Sequence, residues 1–340
     1  MSVTIPTVAR EVHLVARPVG EPTKAEFALV DAPVAPPAGD QVLVRNEWFS
    51  VDPYMRPRMN DVKSYVPPFA LGAPMDGGAV GTVVASNAAS TPVGTPVLHN
   101  LGWRDYATVD AAAVRVLDTA VAPAQTYLGV LGVTGLTAYV GLKLIAPVRE
   151  GDVVFVSGAA GAVGTVAGRV ARALGAAKVI GSAGGREKGR RLVEDFGYDV
   201  AIDYREGALR EQLDAAAPDG IDVYFDNVGG DHLKAALPTM RRYGRVALCG
   251  AVSQYNATGP VSGPDLLDAI KKRLTLRGYL VMDHYDLFDE YVALAARWLR
   301  DGSLRSEETV VHGIENAVDA FIGLLRGANT GKMLVRLAGE

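Results

Sequence analysis

Gly158, Gly161 and Gly164 stand three residues apart in the stretch VSGAAGAVG, residues 156–164. The apolar run Val153 to Val156 leads in, and Val163, Val166, Val170 and Leu174 recur behind it at helical spacing. A strand, a glycine turn and a helix N-terminus can cradle a phosphate. The backbone approaches the anion closely and the helix end adds positive potential. The spacing departs from the dinucleotide fingerprint G-x-G-x-x-G, and glycine turns of this kind also serve packing alone.

The following strand-like run ends in GSAGGREK, residues 181–188. A fold that selects NAD places a carboxylate at this strand tip to hold the ribose diol. Here Ser182, Gly184, Gly185, Arg186 and Lys188 surround the corner instead. That set suits a 2′-phosphate, so the cofactor expected is NADP(H). The plainer reading makes Arg186 and Lys188 a solvated first turn, although cations are mildly unfavourable at a helix N-terminus.

Metal chemistry finds little to work with. Cys249 is the only cysteine, which excludes an intramolecular disulfide and a thiolate cluster. Among the five histidines, His99, His284 and His312 have no clustered partners that would build a catalytic dyad, and they read as structural.

These residues need a scaffold. A chain of 340 residues is long for one hydrophobic core, so two domains are expected. Its 49% hydrophobic and 21% charged residues are ordinary for a globular protein. A net charge of -4 argues against nucleic acid or anionic lipid as the main partner. The N-terminal MSVTIPTVAREVHLVARP lacks the unbroken apolar core of a secretory signal, which points to the cytoplasm. No charged residue lies between Asp118 and Lys143, yet Pro123, Gln125 and several glycines favour a buried helix over a membrane span.

Up to about residue 120 the chain reads as β structure, with runs at Val12–Ala16, Phe27–Val30, Gln41–Val51 and Gly78–Ala85. From about residue 128 strand and helix alternate. Strand-like runs fall at Val153–Val156, Lys178–Gly181, Val200–Ile202, Val223–Phe225, Arg245–Cys249 and Leu274–Leu280, with a helix at Glu187–Phe196. Such alternation implies a doubly wound parallel sheet. A helix at Ile314–Leu325 and the loop GANTGK then lead to a terminal strand, expected to return to the first domain.

With these elements in place, the chain resembles the zinc-independent medium-chain dehydrogenase/reductase superfamily, in its prostaglandin, alkenal and curcumin reductase branch. The motifs that carry the resemblance are VDPYMRPRM (51–59), SGAAGAVG (157–164), GSAGGREK (181–188), DVYFDNVGG (222–230), YGRVALCGAVSQYN (243–256) and GANTGKM (327–333). The resemblance implies an α/β fold: a GroES-like β-barrel catalytic domain, residues 1–127 and 306–340, plus a Rossmann doubly wound parallel-sheet domain, residues 128–305. NADPH would lie in a cleft between them. Gly158, Ala160, Gly161, Val163, Gly164, Ser182 and Gly184 would line it, Lys188 and Tyr204 would bind its 2′-phosphate, and Asn227 and Asn329 would fix its ribose, pyrophosphate or nicotinamide end. Tyr54 and Tyr255 would face the substrate as the catalytic pair.

Zinc-dependent relatives of that family keep a cysteine where this chain has Ser50, and a Gly-His-Glu motif where it has MDGGAVGTV, residues 75–83. No metal site is therefore expected. Chemistry would rest on hydride transfer and hydrogen-bond donors, which suits reduction of the C=C bond of an α,β-unsaturated ketone or aldehyde. An apolar loop with Pro67, Pro68, Phe69, Leu71, Pro74 and Met75 suits a small hydrophobic substrate of that kind. The alternatives are an NADPH:quinone oxidoreductase and a non-catalytic NADPH-binding regulatory protein. The resemblance also implies a homodimer through the nucleotide domain.

Overall fold

The computed structural model describes residues 4–337. The chain divides into two compact units, one running to Leu128 and resuming at Glu308, the other Gly129–Glu307. In chain order the first unit forms β1 (Val8–Leu14), β2 (Phe27–Pro33), β3 (Gln41–Ser50), β4 (Ala73–Pro74), β5 (Ala79–Ser86), β6 (Pro96–His99), β7 (Tyr106–Asp110) and β8 (Arg115–Val116). The second forms β9 (Val153–Val156), β10 (Lys178–Ala183), β11 (Val200–Asp203), β12 (Ile221–Asp226), β13 (Met240–Leu248) and β14 (Thr275–Gly278). β15 (Glu308–His312) and β16 (Lys332–Arg336) belong to the first unit again.

In the first unit β3 is the central element, pairing antiparallel with β5, β7 and β16. Its Val42 and Val44 pack with Val83, Val97, Ala107 and Val109 in one core. Phe49 lies in another, with Trp103 and Phe321. Their rings touch edge to face or tilted, with centroids 5.5 Å and 6.1 Å apart. The terminal strand does return, with Leu334 opposite Ser50.

The second unit is a parallel sheet of order β11-β10-β9-β12-β13-β14. Helices cover strands such as β9 on both faces, so Val154, Phe155 and Val156 are all fully buried and no polar alternation shows. Strand order reverses between β9 and β12, and ligands of such sheets bind beyond the strand C-termini at that point.

Some expected boundaries shift. β13 starts at Met240, not Arg245: Met240 already pairs with Ile221, Tyr243 takes φ 62°, and the register with β12 shifts before Arg245 pairs with Val223. Ile314–Asn316 forms a 3-10 turn, and the helix proper is Ala317–Leu325. The charge-free stretch holds a buried helix, Val133–Val140, continued by a π turn. Among the described residues no helix is long and apolar enough to cross a membrane.

His99 shows how the first unit handles a buried polar group. It is 1% exposed; Nε2 donates to Asn46 Oδ1 at 2.8 Å, and Nδ1 accepts the Leu101 N–H at 3.1 Å. Burial, then the nearby Arg104 charge, lowers its pKa to about 4. Below its ordinary pKa near 6.5 the unfolded chain takes up the proton first, so stability drains away as pH falls toward 4. Between pH 7 and pH 5 the loss from this residue should be about 2 kcal/mol. Urea unfolding at both pH values should show a smaller loss in His99→Gln than in the wild type, and equal losses would remove His99 from the acid response.

Candidate cofactor crevice and active site

β9 ends at Val156 and the chain turns at once. Gly158 adopts φ 61°, a conformation costly for a residue with a Cβ. Gly164 is required by proximity, since a Cβ there would lie 2.4 Å from the Gly158 carbonyl oxygen. Gly161 closes the turn, its N–H donating to the Gly158 carbonyl at 3.0 Å, with buried Ala160 before it. Val163 then caps the helix Gly164–Ala173.

Across the reversal of strand order, β12 ends on Asp226, 1% exposed. Its Oδ1 accepts the Ser157 hydroxyl at 2.9 Å, the Tyr224 hydroxyl at 2.6 Å, and the N–H groups of Val228 at 3.0 Å and Gly229 at 2.8 Å. Burial, reinforced by Asp226, holds the Tyr224 phenol well above its usual pKa, so it stays a donor. Asn227 donates through Nδ2 to the Ser157 carbonyl at 2.7 Å. The glycine turn after β9 and the DNVGG turn after β12 are therefore one hydrogen-bonded piece.

A second corner lies where β10 and β11 end. A Cβ built on Gly184 would stand 2.7 Å from both the Tyr204 hydroxyl and Arg205 Nε, so two side chains converge on this glycine. Half-buried Lys188 joins them, its pKa lowered by burial and by the Arg205 charge. Asp203, the acid at the β11 tip, is committed to the backbone: Oδ1 accepts from the Gly185 and Arg205 N–H groups at 3.0 Å each. Two cations and a phenol around a glycine cradle are a donor set for a phosphate dianion, and they fit NADP(H).

Two residues near this corner have partners of their own. Ser182 is fully buried and its hydroxyl bonds His232 Nε2 at 2.8 Å, because its side chain faces inward from β10. Arg186 is exposed and pairs with Glu206 at 3.1 Å, the solvated alternative. Arg205 was not anticipated, although a cation directly after the strand in DYREG was the available signal.

Tyr255 follows a 3-10 turn beyond β13, and its hydroxyl is 3.6 Å from a Cβ built on Gly250. The same Cβ would be 3.1 Å from the Asn227 carbonyl oxygen, so the phenol stands at the strand ends beside the DNVGG turn. In the first unit, half-buried Tyr54 precedes the helix Met55–Arg58 and faces Arg58, which Asp76 holds at 2.9 Å and which lies 4.0 Å over the Phe69 ring. Burial, then Asp52, raises the Tyr54 pKa, so its hydroxyl remains protonated. Tyr65 also faces it, a neighbour that sequence reasoning missed. Asn329 is buried, its Nδ2 donating to the Gly331 carbonyl at 2.7 Å. The apolar loop does not form one lining: Phe69 and Met75 are core residues, while Leu71 is half exposed.

Residues 10–117 match a family model described as the N-terminal domain of oxidoreductase, and residues 162–297 one described as zinc-binding dehydrogenase. The NADPH-dependent curcumin reductase of Escherichia coli is 40% identical over 334 residues, 96% of each chain. The NADP-dependent 2-alkenal reductase of Nicotiana tabacum is 38% identical, covering 94% of this chain and 95% of that one. The crystal structure of CurA from Vibrio vulnificus in complex with NADPH superposes with a TM-score of 0.92 at 41% identity, covering 98% of this chain and all of the other. The chain belongs to the zinc-independent medium-chain reductases.

The zinc in one model's description is not matched by residues in this reductase. The Ser50 hydroxyl donates to Asp52 Oδ2, and Lys332 Nζ donates to Asp52 Oδ1 at 2.5 Å. A Cβ on Gly77 would lie 2.5 Å from Met55 Cε, so Met55 fills the room a ligand side chain would need. Among the described residues no group of three or more His, Cys, Asp or Glu side chains could hold a metal ion.

Asp226 generates the prediction for this reductase. Asp226→Ala leaves two hydroxyls and two N–H groups without their acceptor, and each such buried donor costs about 1–3 kcal/mol. Chemical denaturation should show a loss of at least about 3 kcal/mol, by the same reckoning. A loss below about 1 kcal/mol, the worth of one ordinary hydrogen bond, would show that the turns hold together without it.

Proposed function

We propose that this protein uses NADPH to reduce the C=C bond of small hydrophobic α,β-unsaturated ketones or aldehydes. The observation that carries the reading is the Tyr54 phenol, half-buried beside Asp52 and Asp76 and so kept as a neutral donor. Bound NADPH supplies hydride, which a conjugated alkene accepts at its β-carbon. Negative charge then gathers on the carbonyl oxygen, and the α-carbon must receive a proton. Tyr54 and Tyr255 serve as the donors to that oxygen or as the acid for that proton. Lys188, Tyr204 and Arg205 hold the 2′-phosphate; the turn from Gly158 to Gly164, with Asn227 and Asn329, holds the rest of the cofactor. The relatives support this substrate class, since they are reductases of curcumin and of 2-alkenals.

The same reading places the protein in the cytoplasm as a homodimer. Among the described residues β14 is the last strand on one side of the parallel sheet, an edge that a second copy can pair.

NADPH oxidation against enals, enones and quinones, with product identification, tests the activity. Saturated carbonyl products are expected; turnover of quinones alone would favour the quinone reductase, and binding without turnover a regulatory protein. Lys188→Ala should weaken NADPH binding by roughly 10- to 150-fold, the worth of one charge-assisted hydrogen bond, and barely change NADH binding. Equal weakening of both would remove the phosphate assignment.

Tyr54→Phe and Tyr255→Phe keep the ring and remove the donor. Loss of one oxyanion donor lowers turnover by roughly 100- to 1000-fold where nothing substitutes, and each single change here should cost about 10- to 100-fold. The pair should lose less than the product of the singles if both serve one oxygen. Near-normal rates in all three would leave the phenols as walls.

A further inference from the structure

Lys332 is a lysine with almost no contact with water, its side chain 4% exposed. Its ammonium donates to Asp52 Oδ1 at 2.5 Å and to the Val51 carbonyl at 3.2 Å. Both oxygens of Asp52 are then engaged, since Ser50 donates to the other. The backbone adds one bond in the same place, Val51 N–H to the Met333 carbonyl at 3.2 Å. Two segments 280 residues apart in the chain are thereby fastened by a charge pair.

What the two segments carry gives the pair its meaning. Tyr54 follows Asp52 by two positions, and Asn329 precedes Lys332 by three. The intervening Thr330 is tied to β15, donating its N–H to Thr309 Oγ1 at 3.0 Å and accepting that hydroxyl at 2.8 Å. A buried ion pair is a poor source of stability, because desolvation consumes most of the attraction and a well-packed apolar pair often does as well. It does impose one geometry: Asp52 has no other cation within bonding distance among the described residues. We infer that Lys332 is a positioning residue, locking the substrate-facing Tyr54 segment to the cofactor-facing Asn329 segment so that the two move as one. This rests on the roles proposed above for Tyr54 and Asn329.

The full-length protein is compared as wild type, Lys332→Met, Lys332→Arg and the double variant Lys332→Met/Asp52→Asn. Readouts are NADPH dissociation constant, kcat and KM for an enone, and hydrogen exchange of the amides of residues 51–55 with and without NADPH. Lys332→Met leaves Asp52 buried without its cation and should be much less stable; the double variant removes that charge and should fold. In the double variant kcat should remain lowered by roughly 10- to 100-fold, the scale of a misplaced reacting group, with NADPH bound more weakly and KM changed little. NADPH should slow exchange at 51–55 in the wild type and in Lys332→Arg, but not in the double variant. If the double variant regains wild-type kcat, NADPH affinity and exchange protection, the pair is merely structural and the inference falls. A wild type that turned over no enone would sink the proposed activity instead, and NADPH affinity and exchange would still decide the role of Lys332.

Discussion

One carboxylate oxygen organises the nucleotide-binding end of this protein. Asp226 Oδ1 receives two hydroxyls and two backbone N–H groups in a site closed to water. A buried carboxylate survives only when its charge is met by donors, and this one is met from both sides of the point where strand order reverses. Ser157 brings the turn after β9 and Val228 and Gly229 the turn after β12. The glycine turn, Asn227 and the Gly250 shelf beneath Tyr255 inherit their positions from that arrangement.

The same economy of charge runs through the rest of the chemistry. Lys188 and Arg205 repel one another at the corner after β10, and that repulsion is relieved by a dianion. Tyr54 sits in the opposite situation, where burial first and the Asp52 charge second disfavour its ionisation. A phenol in such surroundings stays protonated and keeps its O–H as a hydrogen-bond donor. The space near Ser50 and Gly77 is closed by Asp52, Lys332 and Met55.

Features governed by local backbone rules were legible in the residues. Gly158 and Gly164 announce themselves because a positive φ and a 2.4 Å approach admit only glycine. The place of Lys188 one turn after a strand tip without an acid put it at the corner where the Arg205 charge also acts. The parallel sheet showed in the alternation of apolar runs with helical spacing. What stayed hidden depends on contacts distant in sequence. The bond from Ser182 to His232, fifty residues away, was hidden because strand periodicity does not say which face meets that ring. Asp226, Arg205 and Tyr65 gain their roles only when separate strands and loops are brought together. Phe69 and Met75 looked like a pocket wall because an apolar loop and a piece of core share one composition.

The central claim is that this fold delivers hydride to carbon and donors to oxygen. Reduction of an α,β-unsaturated ketone with NADPH deuterated at the transferable position of its nicotinamide tests it most directly. The account predicts a saturated ketone with deuterium at the β-carbon and a solvent proton at the α-carbon. Deuterium on the carbonyl carbon of an allylic alcohol would contradict it.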